Sequence, residues 1–225
     1  MLNDFRKWLY RRLALNNMTA GKTEKAEMWY RKLKTLEPES LEVLHNLGVI
    51  CISLKKFDEA EKYLLREIEL FGNSEIRYRV LGDLYHSSGK REKAGKAYGK
   101  ALALLSEGVG DKTIERFLRR RIKQCRDASS YTKAVDGARY YEEGITLYSK
   151  GDYSKAFDLY KKAVECDNAS FMALNAAGTV LMNSIKDYEN ARTYFIKALE
   201  LADLPLIQGN LALAEYKIKE KGGER

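Results

Sequence analysis

Small and large apolar residues recur along this chain with a period of 34. In "GKTEKAEMWYRKLKTLEP", "KKFDEAEKYLLREIELFG", "GKREKAGKAYGKALALLS" and "GDYSKAFDLYKKAVECDN" a turn leads into an alanine, and a large residue follows four positions later. The anchor alanines are Ala26, Ala60, Ala94 and Ala156; the first three lie 34 apart and the fourth 62 further on. Gly48, Gly82 and Gly144 each precede their alanine by twelve residues, and Ala14 takes that place in the first segment. A fifth segment carries Gly178 and Ala191, thirteen apart. That spacing predicts one extra residue in its inter-helix turn.

Two helices of about 14 residues and two short turns fill such a period. Small residues at the crossings let paired helices approach closely. Tyr30, Leu64, Tyr98, Tyr160 and Phe195 are then placed to fill the gap to the next unit. One unit cannot bury its own apolar face, so units stack. The pattern predicts an all-α fold, an α-solenoid of five helix-turn-helix units near 7–40, 41–74, 75–108, 137–170 and 171–205. The expected organisation is a three-unit block over 1–108, a basic helix over 109–128 and a two-unit block over 129–225. "LPLIQGNLALAEYKIKEK" predicts a capping helix over 206–221, with Leu206, Leu211, Leu213 and Tyr216 covering the last unit and the lysines in water.

The register breaks at "ERFLRRRIKQCRD", where six of thirteen residues are basic. At 100° per residue, Ile114, Phe117, Leu118, Ile122 and Cys125 form one stripe, and Lys112, Arg116, Arg119, Lys123 and Arg126 gather on the opposite face. Arg121 falls inside the apolar stripe; either its stem packs while its head reaches water, or it meets an acid. The helix is expected to dock its apolar side on the repeats and redirect the solenoid between the blocks. Its basic face reads first as a solvated strut. The alternative is a contact for a nucleic acid or another anionic surface over 112–126, which salt would weaken.

Charge sharpens the contrast between regions. Residues 1–108 hold 20 basic and 15 acidic side chains, 109–128 hold 7 and 3, and 129–225 hold 13 and 14. Only two prolines interrupt 225 residues, which favours helix throughout. Cys51, Cys125 and Cys166 are scattered and form no CxxC, which predicts reduced thiols. "MLNDFRKWLYRRLAL" lacks an apolar core and a cleavage site, and no apolar run is long enough to span a bilayer. The expected compartment is cytoplasmic. "GKT" at 21–23 lacks the upstream glycine and preceding strand of a P-loop, so Gly21 reads as a turn. GxSxG and HExxH are absent, and His45 and His86 have no Cys or His companion. No enzyme, metal or cofactor is expected.

Leu47-Gly48 and Leu81-Gly82 with Tyr85 in first helices, followed by the anchor alanines and their large residues in second helices, resemble the tetratricopeptide repeat. Pro38 alone keeps that family's closing proline. The resemblance implies a non-catalytic scaffold or adaptor that binds a protein or peptide in a groove lined by first helices. Carried onto this chain, the lining of the first block is Arg11, Leu15, Met18, His45, Asn46, Val49, Ile52, Arg79, Asp83 and His86. In the second block it is Tyr141, Ile145, Tyr148, Asn175, Thr179 and Met182. Arg11, His45 and Arg79 share one repeat position, a ladder suited to an acidic or carboxylate-bearing peptide. The tyrosines and Met182 suit an apolar segment. The carboxylate clamp of some family members keeps Arg11 and Asn46 but has Leu15, Ile76 and Val80 at its other places. A chaperone-tail cochaperone is therefore not implied. Leu2, Phe5, Trp8 and Leu9 leave self-association or a membrane-surface role open for the N-terminal helix.

Overall fold

The computed structural model describes residues 2–106 and 111–223. Among them are twelve α-helices, one π-helical turn and no strand. The chain divides into two compact units, Met1–Leu104 and Leu105–Arg225.

The first unit holds three helix pairs: α1 (Leu2–Thr19) with α2 (Thr23–Leu36), α3 (Leu41–Ser53) with α4 (Phe57–Phe71), and α5 (Glu75–Ser87) with α6 (Arg91–Ser106). The anchors Ala26, Ala60 and Ala94 are completely buried. A Cβ placed on Gly48 would lie 2.5 Å from Leu64, and one on Gly82 would lie 2.5 Å from the Tyr98 ring. The glycine is therefore the socket for its own unit's large residue. The sequence places these residues in the gap to the next unit; the structure adds a place for them within their own unit. Some do both: Asn46 of α3 donates to the Tyr30 hydroxyl at 2.9 Å. Burial pushes that phenol up to about 12.

A polar ladder accompanies the apolar one. Glu27, next to Ala26, accepts from Lys56 Nζ at 2.7 Å, and Glu61, next to Ala60, accepts from Lys90 Nζ at 2.9 Å. Each acid lies 29 residues before its lysine. The residue after Ala94 is Gly95, so the third anchor carries no acid.

The second unit begins with α7 (Lys112–Arg126) and α8 (Ala128–Ser149), followed by α9 (Tyr153–Cys166), α10 (Phe171–Val180), the π-helical turn Leu181–Ile185, α11 (Tyr188–Leu199) and α12 (Pro205–Gly223). Asp127 makes the corner between α7 and α8, accepting from Ser130 N at 2.6 Å. Asp152 and Asp187 cap α9 and α11 in the same way. Gly144 and Gly178 are sockets for Tyr160 and Phe195.

The extra residue of the fifth repeat is taken up before the connection, in the π-helical turn. Elsewhere the turn amide bonds back five residues, as Lys90 N does to Tyr85 O. Here Asp187 N reaches six residues back to Leu181 O. The turns inside the five repeat helix pairs all pass through positive φ, at Gly21, Lys55, Gly89, Gly151 and Lys186. Gly21 is thus a turn residue, as its place in the register predicts.

α12 packs differently from the expectation. Ile207 and Ala214 are buried in a cluster with Phe195, Ala198 and Leu201, and Leu211 packs beside them. Leu206, Leu213 and Tyr216 are 68%, 45% and 59% exposed. The covering stripe is rotated by about one residue, because Ile207 rather than Leu206 meets the α11 core.

Candidate binding surface

α7 is tied into the second unit by its own cations. Arg120 donates to Asn168 O at 2.9 Å, just beyond the C-terminus of α9. Arg116 donates to Glu200 O at 2.9 Å, at the C-terminus of α11. Guanidinium groups at helix C-termini satisfy carbonyls left without intrahelical partners and face the negative end of the dipole. Arg121 takes the second course open to it and meets an acid. It donates to Asp167 Oδ2 at 2.9 Å, and Gln124 donates to Oδ1 at 2.8 Å. Ala169 N also donates to Oδ1, at 3.0 Å, so this buried carboxylate is amply satisfied.

The expected basic face therefore divides. Arg116, though exposed, spends a donor on a carbonyl, and Arg119 pairs with Glu115 at 2.7 Å one turn away. Lys112, Lys123 and Arg126 are exposed. Phe117, Leu118 and Cys125 are buried, as the apolar stripe predicts. Sequence reasoning missed Gln124 and Asp167. A buried glutamine among arginines has no periodic signal, and Asp167 lies 46 residues from Arg121.

On the first helices of the first unit, the cationic ladder is already matched by the chain's own acids. Arg11 donates to Glu42 at 2.6 Å and to Glu37 at 2.7 Å. The Glu42 bond raises the Arg11 pKa further above its ordinary value. His45 Nδ1 lies 3.2 Å from both oxygens of Glu67, a 2% exposed carboxylate that also accepts from Arg77. Arg79 pairs with Glu75 at 2.7 Å. Asp83 accepts from the Tyr98 hydroxyl at 2.7 Å, Val49 and Ile52 are half-buried, and His86 is buried. Leu15, Met18 and Ile76 are exposed beside these groups.

In the second unit, the Tyr141 and Tyr160 rings meet tilted by 42° with centroids 5.8 Å apart, and burial raises the Tyr141 pKa. Tyr148 meets Tyr153 edge-on at 5.2 Å. Asn175 accepts from Asn210 of α12 at 2.9 Å, and Thr179 bonds its own helix at Asn175 O. Met182 is buried in the core under α12, while Ile145 is exposed. On α1, Leu2, Phe5 and Trp8 are exposed, and Arg12 lies over the Trp8 ring at 5.4 Å.

Among the described residues no cluster of three or more His, Cys, Asp or Glu side chains could hold a metal, and the three cysteines form no disulfide. No described helix is long and apolar enough to cross a membrane.

Comparison with known proteins agrees with the repeat register. The Tetratricopeptide repeat family matches residues 41–73, 78–104 and 173–203. The BBSome complex member BBS4 of Bos taurus is 26% identical over 201 residues, 89% of this chain and 33% of that protein. The Protein STIP1 homolog of Dictyostelium discoideum is 24% identical over 148 residues, 63% of this chain and 26% of that protein. The chain thus spans about a third or less of the length of these curated relatives. The yeast Sti1 structure titled "TPR2AB-domain:pHSP90-complex" aligns with 99% of this chain and 86% of its own at 17% identity and a TM-score of 0.45. The chain thus carries tetratricopeptide repeats at 41–73, 78–104 and 173–203, in agreement with the helix pairs, buried anchors and sockets described above.

Proposed function

We propose that the chain is a non-catalytic scaffold that holds a protein segment against the first helices of its repeats. In the first unit the surface is Arg11, His45, Asn46, Val49, Arg79 and Asp83, with His86 buried beneath. In the second it is Tyr141, Tyr148 and Asn175, with Met182 as buried support. One observation carries the chemistry of the partner: Arg11, His45 and Arg79 each face a carboxylate of this chain, while Leu15, Met18 and Ile76 stay exposed. A ladder matched internally offers an acidic peptide little uncompensated charge. The exposed apolar groups offer anchors for an amphipathic segment with apolar side chains.

The test is selection from a displayed peptide library on the purified protein, with affinities by calorimetry. Selected peptides should carry apolar anchors, and Leu15→Glu or Val49→Asp should weaken them tenfold or more. Uniformly acidic peptides, lost on Arg11→Ala, would overturn this chemistry. A second reading, an anionic partner on α7, rests on the exposed Lys112, Lys123 and Arg126, with Arg119 and Arg116 beside them. It requires an affinity that drops steeply with added salt.

A further inference from the structure

α1 carries an aromatic group that the sequence reading leaves out of the groove. Trp8 stands three residues before Arg11, as Glu42 stands before His45 and Ile76 before Arg79, so it shares their repeat position. Its side chain is 50% exposed, and the Phe5 ring lies 5.9 Å away. Arg12 lies over the Trp8 ring at 5.4 Å. At 100° per residue Arg12 and the exposed Leu15 fall within about 40° of Trp8, so the three share one face of the helix.

Charge sets Arg12 apart from its neighbours. Lys7 and Arg11 both pair with Glu37, and Arg11 also pairs with Glu42. Arg12 pairs with no acid among the described residues. A guanidinium stacked on a ring keeps its N–H edge for a carboxylate, which it can hold with two parallel bonds. Asp4, exposed one turn before Trp8, repels a second acid from that end.

We propose that Trp8, Arg12 and Leu15 dock a partner segment in which one acidic residue lies between two apolar ones. The inference rests on the scaffold reading above and names the chemistry of the bound segment at α1. Trp8 and Leu15 are seven residues apart, about 10 Å along the axis at 1.5 Å per residue. In an extended polyproline II chain, side chains three apart return to one side about 9 Å apart. Apolar side chains at i and i+3 therefore cover Trp8 and Leu15, and an Asp or Glu between them meets Arg12. Trp and Arg are the residue types on which binding energy concentrates. An anionic lipid surface fits less well. It is held by clusters of cations, whereas one unmatched arginine with an acid nearby suits a single carboxylate.

The probe is a displayed library of random peptides of about 12 residues, selected on the full chain. Recovered peptides should carry two apolar residues three positions apart with an acid between them. Trp29→Phe leaves Trp8 as the sole tryptophan, and its emission should shift to the blue when a recovered peptide binds. Trp8→Ala should weaken binding about tenfold or more, and Arg12→Gln about three- to tenfold. Both positions are exposed, so the circular dichroism spectra should not change. Arg12→Glu should prefer the same peptides with lysine in place of the acid. Binding that Val49→Asp removes, but that Trp8→Ala and Arg12→Glu leave unchanged, overturns this inference and keeps the groove. Binding that none of these variants changes overturns both. A blue shift with phosphatidylserine vesicles and with no recovered peptide assigns the face to lipid and overturns the proposal.

Discussion

Arg121 and Asp167 meet at 2.9 Å, joining a helix outside the repeat register to the C-terminal cap of a helix inside it. The arginine side chain is 13% exposed and the carboxylate 5%. With Arg120 on Asn168 O and Arg116 on Glu200 O, the α7 arginines act as a clasp over the ends of α9 and α11. Much of the charge on this helix has a structural task.

Removing Asp167 should cost more than removing Arg121. Asp167→Ala strips acceptors from Arg121, Gln124 and Ala169 N together and leaves a cation in a mostly buried site, a loss of about 3–5 kcal/mol. Arg121→Met leaves the carboxylate held by Gln124 and the Ala169 amide, and should cost about 1–3 kcal/mol. Urea unfolding followed by circular dichroism checks the order, and the double variant should cost less than the sum.

The glycine sockets should differ in tolerance. At Gly82 and Gly144 an added Cβ meets an aromatic ring at 2.5 Å, whereas at Gly48 it meets the far end of Leu64. Gly82→Ala and Gly144→Ala should each cost about 2–3 kcal/mol, and Gly48→Ala about 1 kcal/mol. Gly137→Ala, whose Cβ would lie 2.9 Å from the backbone carbonyl of Ala163, should be at least as costly as the ring cases. Thermal unfolding ranks them, and Tyr98→Leu should recover part of the Gly82→Ala loss.

Two turns are strained where their counterparts are not. Lys55 and Lys186 hold φ of 58° and 63°, while Gly21, Gly89 and Gly151 occupy the same place in the other units. A side chain in this region costs about 1–2 kcal/mol, partly offset by the greater unfolded freedom of glycine. Lys55→Gly and Lys186→Gly should each raise stability by about 0.5–1 kcal/mol, read as an upward shift in melting temperature.

Acid should cancel one rung of the ion-pair ladder. The Lys90 hydrogen bond, aided by Tyr85 and Lys93, holds the Glu61 carboxyl down to about 2, against an ordinary 4.5. A depressed folded pKa adds stability above the unfolded value, and that stability is lost as pH falls from about 4.5 to about 2. Glu61→Gln should be about 1–2 kcal/mol less stable than wild type at pH 7, after allowing for solvent screening. The gap should close through that window in paired melting curves.

The helices and their pairing were legible because burial of anchors every 34 residues leaves a periodic trace. Ala26, Ala60, Ala94, Ala156 and Ala191 all prove fully buried. The candidate surface was less legible. Arg11, His45 and Arg79 share a repeat position, yet the acids that face them come from differing places: Glu42 and Glu37, Glu67, and Glu75. Periodicity cannot show which cations remain uncompensated, because pairing depends on distances across neighbouring elements.

The same divide runs through α7 and α12. Composition and spacing determined that each is an amphipathic helix, since a one-dimensional pattern at 100° per residue is a property of the chain alone. Which side of α12 turns inward was a difference of about one residue, settled by the fit of Ile207 and Ala214 against Phe195 and Ala198. Whether Arg121 reached water or an acid depended on Asp167, 46 residues away and placed by the end of α9. Local sequence decides helices because their hydrogen bonds are local. Which residues satisfy a buried charge, and which apolar stripe is left in water, are decided only when distant elements pack.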